Sequence, residues 1–245
     1  MTDIIEIYDN YAELGIRTRK ITKGKEIDLV REYIDYRKSN FVPTNDKKLA
    51  VFLEAKIGNS YPDIVFVEFN PNTYCDWNSF RDELNTTDYK ILYHIHSQQG
   101  IQSQDLVEQL GFTWKETFLS IERLYDSKMI FRKNKLWLAQ EDKIGTYKIE
   151  AVEAKINNWQ ELLQQSILNK NFASESYVLS LINTIPKVEV VKRFNRLGIG
   201  MYIKKDGEFT TIKKAKKVNI PVSFNSILFN EWIGKILTKE RLQLC

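Results

Sequence analysis

Two short segments of β-strand character carry acidic residues and lie far apart in the chain, and together they constrain the fold more than any other feature. They span residues 61–67 and 151–156. Side chains alternate between the two faces of a strand, so Glu153 and Lys155 are expected to project from one face. If Asp63 lies on a neighbouring strand, two carboxylates and one ammonium group converge on a single site.

This set of side chains indicates phosphodiester chemistry. Two carboxylates supply the hard oxygen ligands that suit Mg²⁺, and an adjacent lysine suits an attacking water or a phosphoryl oxygen. The pattern resembles the PD-(D/E)XK nuclease superfamily, which has the restriction-endonuclease-like fold. Pro62 and Asp63 match the first half of the motif, and the Glu-Ala-Lys tripeptide at 153–155 matches the second. Another Glu-Ala-Lys tripeptide, at 54–56, precedes the Pro-Asp pair instead of following it.

The surroundings of the motif agree with this resemblance. Residues 48–57 and 63–69 are predicted to form a hairpin, because turn-forming residues separate two apolar runs. Residues 157–165 are typical of a capped amphipathic helix, and a strand is predicted at 176–182. The order strand, helix, strand is how the core of the superfamily continues. The resemblance therefore implies an α/β fold with a mixed central sheet flanked by helices.

The resemblance also implies a role for each matching residue. Asp63 and Glu153 would hold Mg²⁺, which Mn²⁺ can replace, and Lys155 would polarise the attacking water or stabilise charge on the phosphoryl oxygens. Many members of the superfamily add another acid near the metal, and Glu54 is the candidate here. A polar residue on the helix after the motif lysine often assists the site, and Gln165 is the candidate for that position.

Residues 77–139 differ in pattern from their surroundings and are predicted to form an inserted domain. Three helices are followed by two apolar strands that bracket a basic turn, which resembles a winged helix-turn-helix. Thr113 can cap the third of these helices. An insertion explains why Asp63 and Glu153 are ninety positions apart. It divides the catalytic domain into residues 1–76 and 140–245.

The third helix and the hairpin turn of this inserted domain contain candidates for contact with DNA. In DNA-binding proteins this helix enters the major groove and presents side chains to base edges. Its inward face is predicted to comprise Phe118, Ile121, Leu124 and Tyr125. The candidates for DNA contact are Lys115, Thr117, Ser120, Arg123, Arg132 and Lys133. Two acidic residues on the same helix weaken its electrostatic attraction to DNA. Winged helices also serve as protein-contact modules.

A second basic region lies towards the C-terminus. From Lys187 to Lys217 there are ten Lys or Arg residues against three acids. Lys192, Arg193 and Arg196 in this region are candidates for contact with a phosphate backbone, and such contacts would make binding salt-dependent. The alternative interpretation is a solvated, lysine-rich surface.

Composition excludes some other classes of protein. The chain has 245 residues, 43% of them hydrophobic, so it can bury a substantial core. It has no apolar run of about 18 residues, so no membrane span is expected. The two cysteines show no metal-type spacing, and a reducing cytoplasm is the expected location.

The sequence therefore predicts a Mg²⁺-dependent DNA endonuclease, of the restriction, phage-defence or mobile-element type. Its expected partner is double-stranded DNA, and members of such families are commonly dimers that cut both strands. Two alternatives remain open. The chain could be a non-catalytic DNA-binding regulator, or a subunit of a larger complex whose winged helix binds a protein.

Overall fold

The computed structural model describes residues 3–20, 23–156, 158–181 and 186–243, with side chains described as far as residue 239. The strands in these ranges are β1 (Ile4–Ile7), β2 (Lys48–Leu53), β3 (Ile64–Phe69), β4 (Ile130–Lys133), β5 (Leu136–Ala139), β6 (Thr146–Lys155), β7 (Glu175–Leu181), β8 (Gly200–Lys205) and β9 (Glu208–Lys213). The helices are α1 (Lys25–Ser39), α2 (Thr86–Ser97), α3 (Ser103–Leu110), α4 (Trp114–Asp126), α5 (Trp159–Asn169), α6 (Val188–Arg196) and α7 (Phe224–Gln243). Short 3₁₀ helices occur at Ala12–Leu14, Pro71–Tyr74, Ser79–Glu83 and Glu141–Lys143.

The chain folds into two compact units. The sheet unit comprises residues 2–69 and 146–222, and the helical unit comprises residues 70–145 and 223–245. The sheet unit is therefore interrupted by a long segment, as the sequence predicts. The segment is wider at both ends than the predicted 77–139.

A seven-stranded mixed sheet organises the sheet unit, in the order β1-β2-β3-β6-β7-β8-β9. Strand β3 runs antiparallel to both of its neighbours, β2 and β6, whereas β6, β7 and β8 run parallel. The outer pairs are parallel for β1–β2 and antiparallel for β8–β9. This confirms the predicted α/β class with a mixed central sheet. The predicted hairpin is formed by β2 and β3, and Asn157 and Ile182, at the ends of the predicted helix and strand, lie outside the described residues.

Helices cover both faces of this sheet because neighbouring strand residues point in opposite directions. Leu179 of β7 packs in one core cluster with Tyr33 of α1. The preceding residue, Val178, packs in a second cluster with Leu162 of α5 and Phe194 of α6. Helix α1 therefore covers one face, and α5 and α6 cover the other.

The core of the helical unit includes residues of α2, α3, α4 and the β4–β5 hairpin. Helix α2 begins with a capping box formed by Asn85 and Asp88, and α4 begins with another formed by Thr113 and Glu116. Gly111 ends α3 in the left-handed conformation, with φ of 68°, which glycine adopts without steric cost. These local signals confirm the predicted cap at Thr113.

Helix α7 also belongs to the helical unit, which differs from the predicted assignment of residues 140–245 to the catalytic domain. Its Ile227 is buried in the same core cluster as residues of α2, α3 and α4. Its Glu231 accepts hydrogen bonds from Arg81 at 3.1 and 2.6 Å, and both side chains are 1% exposed. The Arg81 guanidinium also lies 4.0 Å from the centroid of the Trp77 ring. A buried arginine needs a carboxylate partner, and α7 supplies it.

Among the described residues, no helix combines the length and the apolar composition needed to cross a bilayer.

The first prediction concerns the Arg81–Glu231 pair. Replacing Glu231 by Gln leaves the buried guanidinium without a compensating charge, so we expect unfolding to become easier by about 3–5 kcal/mol. Urea denaturation followed by tryptophan fluorescence measures this change. The exposed Lys115→Ala is the control and should leave the transition unchanged. A double variant, Arg81→Met with Glu231→Leu, should recover most of the loss, and equal losses in the single and double variants would contradict the pairing argument.

Candidate active site

Asp63 and Glu153 meet because β3 and β6 are adjacent. Ile64 pairs with Val152 in the antiparallel ladder, and one further step of the same register places Asp63 opposite Glu153. The Ala154 N–H donates a hydrogen bond of 2.7 Å to Asp63 Oδ2. Asp63 is 8% exposed and Glu153 is 2% exposed. The ninety intervening positions therefore do not keep the two carboxyls apart.

Burial and mutual repulsion disturb the titration of this carboxyl pair. Burial raises the pKa of Asp63 to about 6; the hydrogen bond from Ala154 opposes this rise and the charge of Glu54 adds to it. Burial and the neighbouring Asp63 carboxyl also raise the pKa of Glu153 well above its usual range. Oε2 of Glu153 receives no hydrogen bond from any described residue. The pair is thus a buried acidic group that lacks an adequate cation of its own.

Another buried glutamate on the same strand has a pKa shift in the opposite direction. Glu150 is 1% exposed, yet its pKa is lowered, because Arg37 and Lys148 overcome the effect of burial. Lys148 Nζ lies 2.9 Å from its Oε2, and Arg37 and the Tyr202 hydroxyl both donate to its Oε1. Strand β6 therefore carries one acid neutralised by its own side-chain partners and one, Glu153, that is not.

Asn169, at the end of α5, positions Glu153. Its Nδ2 donates a hydrogen bond of 2.7 Å to Glu153 Oε1, and the residue is completely buried. Gln165, the predicted helix residue, lies one turn earlier, and its carboxamide oxygen has no hydrogen-bond partner among the described residues. The sequence signal for Asn169 was its spacing: Leu162, Ser166 and Asn169 form one buried face of α5. A buried amide on such a face needs a polar partner.

Lys155 lies at the end of β6 with its ammonium group partly exposed. Its Nζ is 3.0 Å from Glu26 Oε2 and 3.6 Å from Glu161 Oε1. Burial opposes the charged form, but the hydrogen bond to Glu26 and the surrounding acids raise the pKa of Lys155 overall. Lys155 is therefore a permanent cation near neutral pH, which suits charge stabilisation rather than proton abstraction.

Glu54 enters the site because the chain leaves strand geometry there. Its φ is 51°, in the left-handed region that non-glycine residues seldom adopt. Its N–H donates to the Asp63 carbonyl at 3.1 Å, which ties the two acids together through the backbone. The Arg19 guanidinium lies 3.0 and 2.7 Å from the two Glu54 carboxylate oxygens. Strand β2 ends at Leu53, earlier than the predicted 48–57, so Glu54 lies just beyond it.

A pocket of about 310 Å³ opens over this group. Its walls combine cationic, acidic and apolar residues. Its lining comprises Arg19, Lys20, Glu26, Ile27, Val30, Glu54, Asp63, Ala154 and Lys155. The predicted residues Asp63, Lys155 and Glu54 thus line one pocket, whereas Glu153, buried beside Asp63 and bonded to Asn169 of α5, is not among the lining residues.

The carboxylates expected to hold Mg²⁺ are Asp63, which lines the pocket, and the buried Glu153 next to it. Glu153 Oε2 is buried and receives no described hydrogen bond, and a bound cation would offset the repulsion between Glu153 and Asp63. Mg²⁺ typically takes one or two carboxylates and keeps several waters. In the part of the chain that the structure describes, no group of three or more His, Cys, Asp or Glu side chains has the arrangement of a metal site.

The candidate DNA-contact residues of α6 are exposed. Lys192, Arg193 and Arg196 all face solvent, whereas Phe194 of the same helix is buried. Helix α6 is thus amphipathic, and its exposed side presents three cations of the sheet unit.

Helix α4 orients its residues differently from the prediction. Thr117 and Ser120 are completely buried, and Ser120 donates a hydrogen bond to the buried Asp88. Arg123 makes two hydrogen bonds to Asp88, at 2.9 and 2.7 Å. The prediction that Thr117, Ser120 and Arg123 face DNA therefore differs from the structure. The interior carboxylate of Asp88 draws two of them, Ser120 and Arg123, towards it.

The outer side of α4 carries several large apolar and aromatic residues. Phe118 and Tyr125, predicted to face inward, are 51% and 54% exposed, because the buried face comprises residues 117, 120, 121 and 124. Trp114 is also half exposed, and its ring stacks on Phe118 with centroids 5.5 Å apart. Lys115 is exposed on this helix, and Arg132 and Lys133 are exposed at the β4–β5 hairpin.

Comparisons with family models, with curated proteins and with solved structures found no match to this chain.

The second prediction concerns pH. Asp63 has a pKa of about 6 when folded and about 3.9 in an unfolded chain. Between these two pH values, the folded state therefore holds a proton that the unfolded state releases. We therefore expect stability to fall, by on the order of 3 kcal/mol, as pH rises from about 4 to above 6. Asp63→Asn should remove the part of this fall that Asp63 contributes, and urea denaturation across the pH range measures it.

The matched control for this experiment is Asp206→Asn, at an exposed turn position where φ is 50°. This variant should keep the wild-type pH profile, because asparagine tolerates a positive φ. Adding Mg²⁺ above pH 6 should stabilise the wild type and leave Asp63→Asn unchanged. An identical pH profile for wild type and Asp63→Asn would contradict the buried-carboxyl argument.

Proposed function

We propose that this chain is a Mg²⁺-dependent DNA endonuclease with a restriction-endonuclease-like sheet unit and an inserted winged helix-turn-helix. The observation that carries the proposal is the meeting of Asp63 and Glu153 on adjacent strands, with protonated Lys155 at the same pocket. Charge repulsion within a buried carboxyl pair costs stability, which a binding site for a cation accounts for.

The order of elements in the sheet unit supports the fold part of the proposal. Helix α1 is followed along the chain by the antiparallel strands β2, β3 and β6, then by α5 and the parallel strand β7. Strand β6, helix α5 and strand β7 give the strand, helix, strand order that the resemblance implies after the motif. In the inserted segment, α2, α3, α4 and the β4–β5 hairpin follow the order of a winged helix-turn-helix.

Each residue of the site has a chemical role in this proposal. Mg²⁺ held by Asp63 and Glu153 would act as a Lewis acid on a phosphoryl oxygen and lower the pKa of an attacking water. Asn169 fixes the Glu153 carboxyl through its hydrogen bond to Oε1. Lys155 donates hydrogen bonds to the oxygens on which negative charge develops, and its raised pKa keeps it protonated for that task.

Phosphate contacts outside the pocket come from the exposed cations of α6. Lys192, Arg193 and Arg196 lie on one exposed side of this helix, and such cations bind the DNA backbone without regard to sequence. Arg132 and Lys133 at the hairpin tip are the corresponding groups of the inserted segment. Double-stranded DNA is the proposed substrate, and a homodimer or a second active subunit would place one active site at each strand.

The third prediction tests catalysis. Supercoiled plasmid incubated with the protein and Mg²⁺ or Mn²⁺ should be nicked, and Asp63→Ala or Lys155→Ala should reduce the rate at least about a hundredfold. Lys56→Ala is the matched control, because Lys56 is the exposed lysine of the other Glu-Ala-Lys tripeptide. It should cut at the wild-type rate. Equal residual cutting by all four proteins would show that the pocket is not the active site.

A second function is favoured by the outer side of α4. Trp114, Phe118 and Leu119 are 49%, 51% and 42% exposed, which is unusual for a helix that reads charged DNA. Exposed aromatic residues are enriched in the central part of protein–protein interfaces. In this alternative, the chain is a subunit of a larger complex and α4 binds a protein partner.

The fourth prediction separates these two functions. If the isolated chain grips DNA through α6, affinity for a short duplex should fall steeply with salt. Replacing Lys192, Arg193 and Arg196 together by Gln should reduce the slope of log K against log salt by up to about 2.7. Fluorescence anisotropy measures both slopes. Trp114→Ser is the control and should leave the slope unchanged. No duplex binding at low salt would favour the subunit function instead.

A further inference from the structure

Arg19 is a residue of the pocket that the motif does not account for. Its guanidinium nitrogen lies 2.7 Å from one Glu54 oxygen, 3.0 Å from the other, and 3.9 Å from Asp63 Oδ1. The hydrogen bond to Glu54 is the main cause of its raised pKa. Arg19 is therefore the cation that faces the carboxylates in this pocket most directly.

The backbone at Arg19 is fixed, although its side chain is open to solvent. The Arg19 N–H donates to the Glu54 carbonyl at 3.0 Å, and the Lys56 N–H donates to the Arg17 carbonyl at 2.8 Å. The Arg19 side chain is nevertheless 55% exposed. Its long side chain can therefore leave Glu54 and Asp63 while its base stays at the mouth of the pocket.

Arg19 and a divalent cation have the same requirement in this pocket. Both need the Asp63 carboxylate, whose Oδ1 lies 3.9 Å from the Arg19 guanidinium, and two cations cannot share it closely without repulsion. A guanidinium group displaced from carboxylates keeps a planar fork of donors that fits the oxygens of a phosphate. Lys20 lines the same pocket beside it.

We propose that Arg19 competes with the divalent cation for the acidic residues of the pocket and, once displaced, binds a phosphate group of the DNA strand that enters it. The inference rests on the proposed endonuclease function and adds a residue for substrate binding. It also predicts opposite effects of one substitution. Removing Arg19 strengthens cation binding and weakens DNA binding, whereas a purely structural ion pair would weaken both, because Glu54 would lose its support.

The test measures two affinities for the full chain. Isothermal titration with Mn²⁺ should show binding to Arg19→Ala about two- to fivefold tighter than to wild type, the range expected for loss of a partly exposed ion pair. Anisotropy of a labelled duplex in Ca²⁺, an oxygen-binding cation with looser coordination geometry than Mg²⁺, should show weaker DNA binding by Arg19→Ala. Circular dichroism checks that each variant is folded.

Two further variants sharpen the result. Arg17→Ala removes an exposed arginine of the same segment that does not line the pocket, and it should change neither affinity. Arg19→Lys keeps the charge but loses the planar fork, so Mn²⁺ affinity should stay near wild type while DNA affinity falls. Unchanged or weaker Mn²⁺ binding by Arg19→Ala would overturn the inference and leave the endonuclease proposal standing. Absence of Mn²⁺ binding to the wild type would overturn both.

Discussion

The antiparallel pairing of β3 with β6 is the constraint on which the rest of the candidate site depends. This ladder places Asp63 opposite Glu153 and allows the Ala154 N–H to donate to the Asp63 carboxylate. A shift of one residue would turn Glu153 to the other face of the sheet, because side chains alternate along a strand. Apolar residues that point to both faces of the sheet stabilise this pairing, since Ile64, Val65 and Phe66 are all buried. The site thus depends on core packing, which aligns two strands that a long insertion separates along the chain.

The balance between acids and cations distinguishes this site from the rest of the core. Glu150 and Glu153 lie on the same strand and are equally buried, yet only Glu150 has close cationic partners that lower its pKa. Glu153 instead accepts a hydrogen bond from the Asn169 amide and lies beside the acid Asp63, which raises its pKa. Leaving a buried acid pair partly uncompensated costs stability, and such pairs are common where proteins bind cations or move protons. The same excess of acidic side chains explains why the Arg19 guanidinium, on a neighbouring segment, lies close to them.

In the helical unit, one buried acid determines which face of helix α4 is buried. Asp88 caps the first turn of α2 and also accepts hydrogen bonds from Ser120 and Arg123 of α4. A carboxylate that is completely buried must be satisfied, so it holds polar residues of α4 on the inner face. The aromatic residues Trp114 and Phe118 are then left on the outer side. A helix whose sequence predicted contact with DNA therefore exposes large aromatic residues among its charged ones.

Local patterns in the sequence determined the strands of the motif, the hairpin before it, the capped start of α4 and the acidic and basic residues Asp63, Glu153 and Lys155. These features depend on residues close together in the chain, where alternation, capping and turn propensity act directly. Tertiary structure alone decided that Asn169 rather than Gln165 holds Glu153, that Arg19 faces Glu54, that Thr117 and Ser120 are buried, and that α7 joins the helical unit. Each of these depends on a partner at least sixteen positions away or on the packing of distant helices. Such contacts depend on the packing of the whole core, which cannot be deduced from any short stretch of sequence.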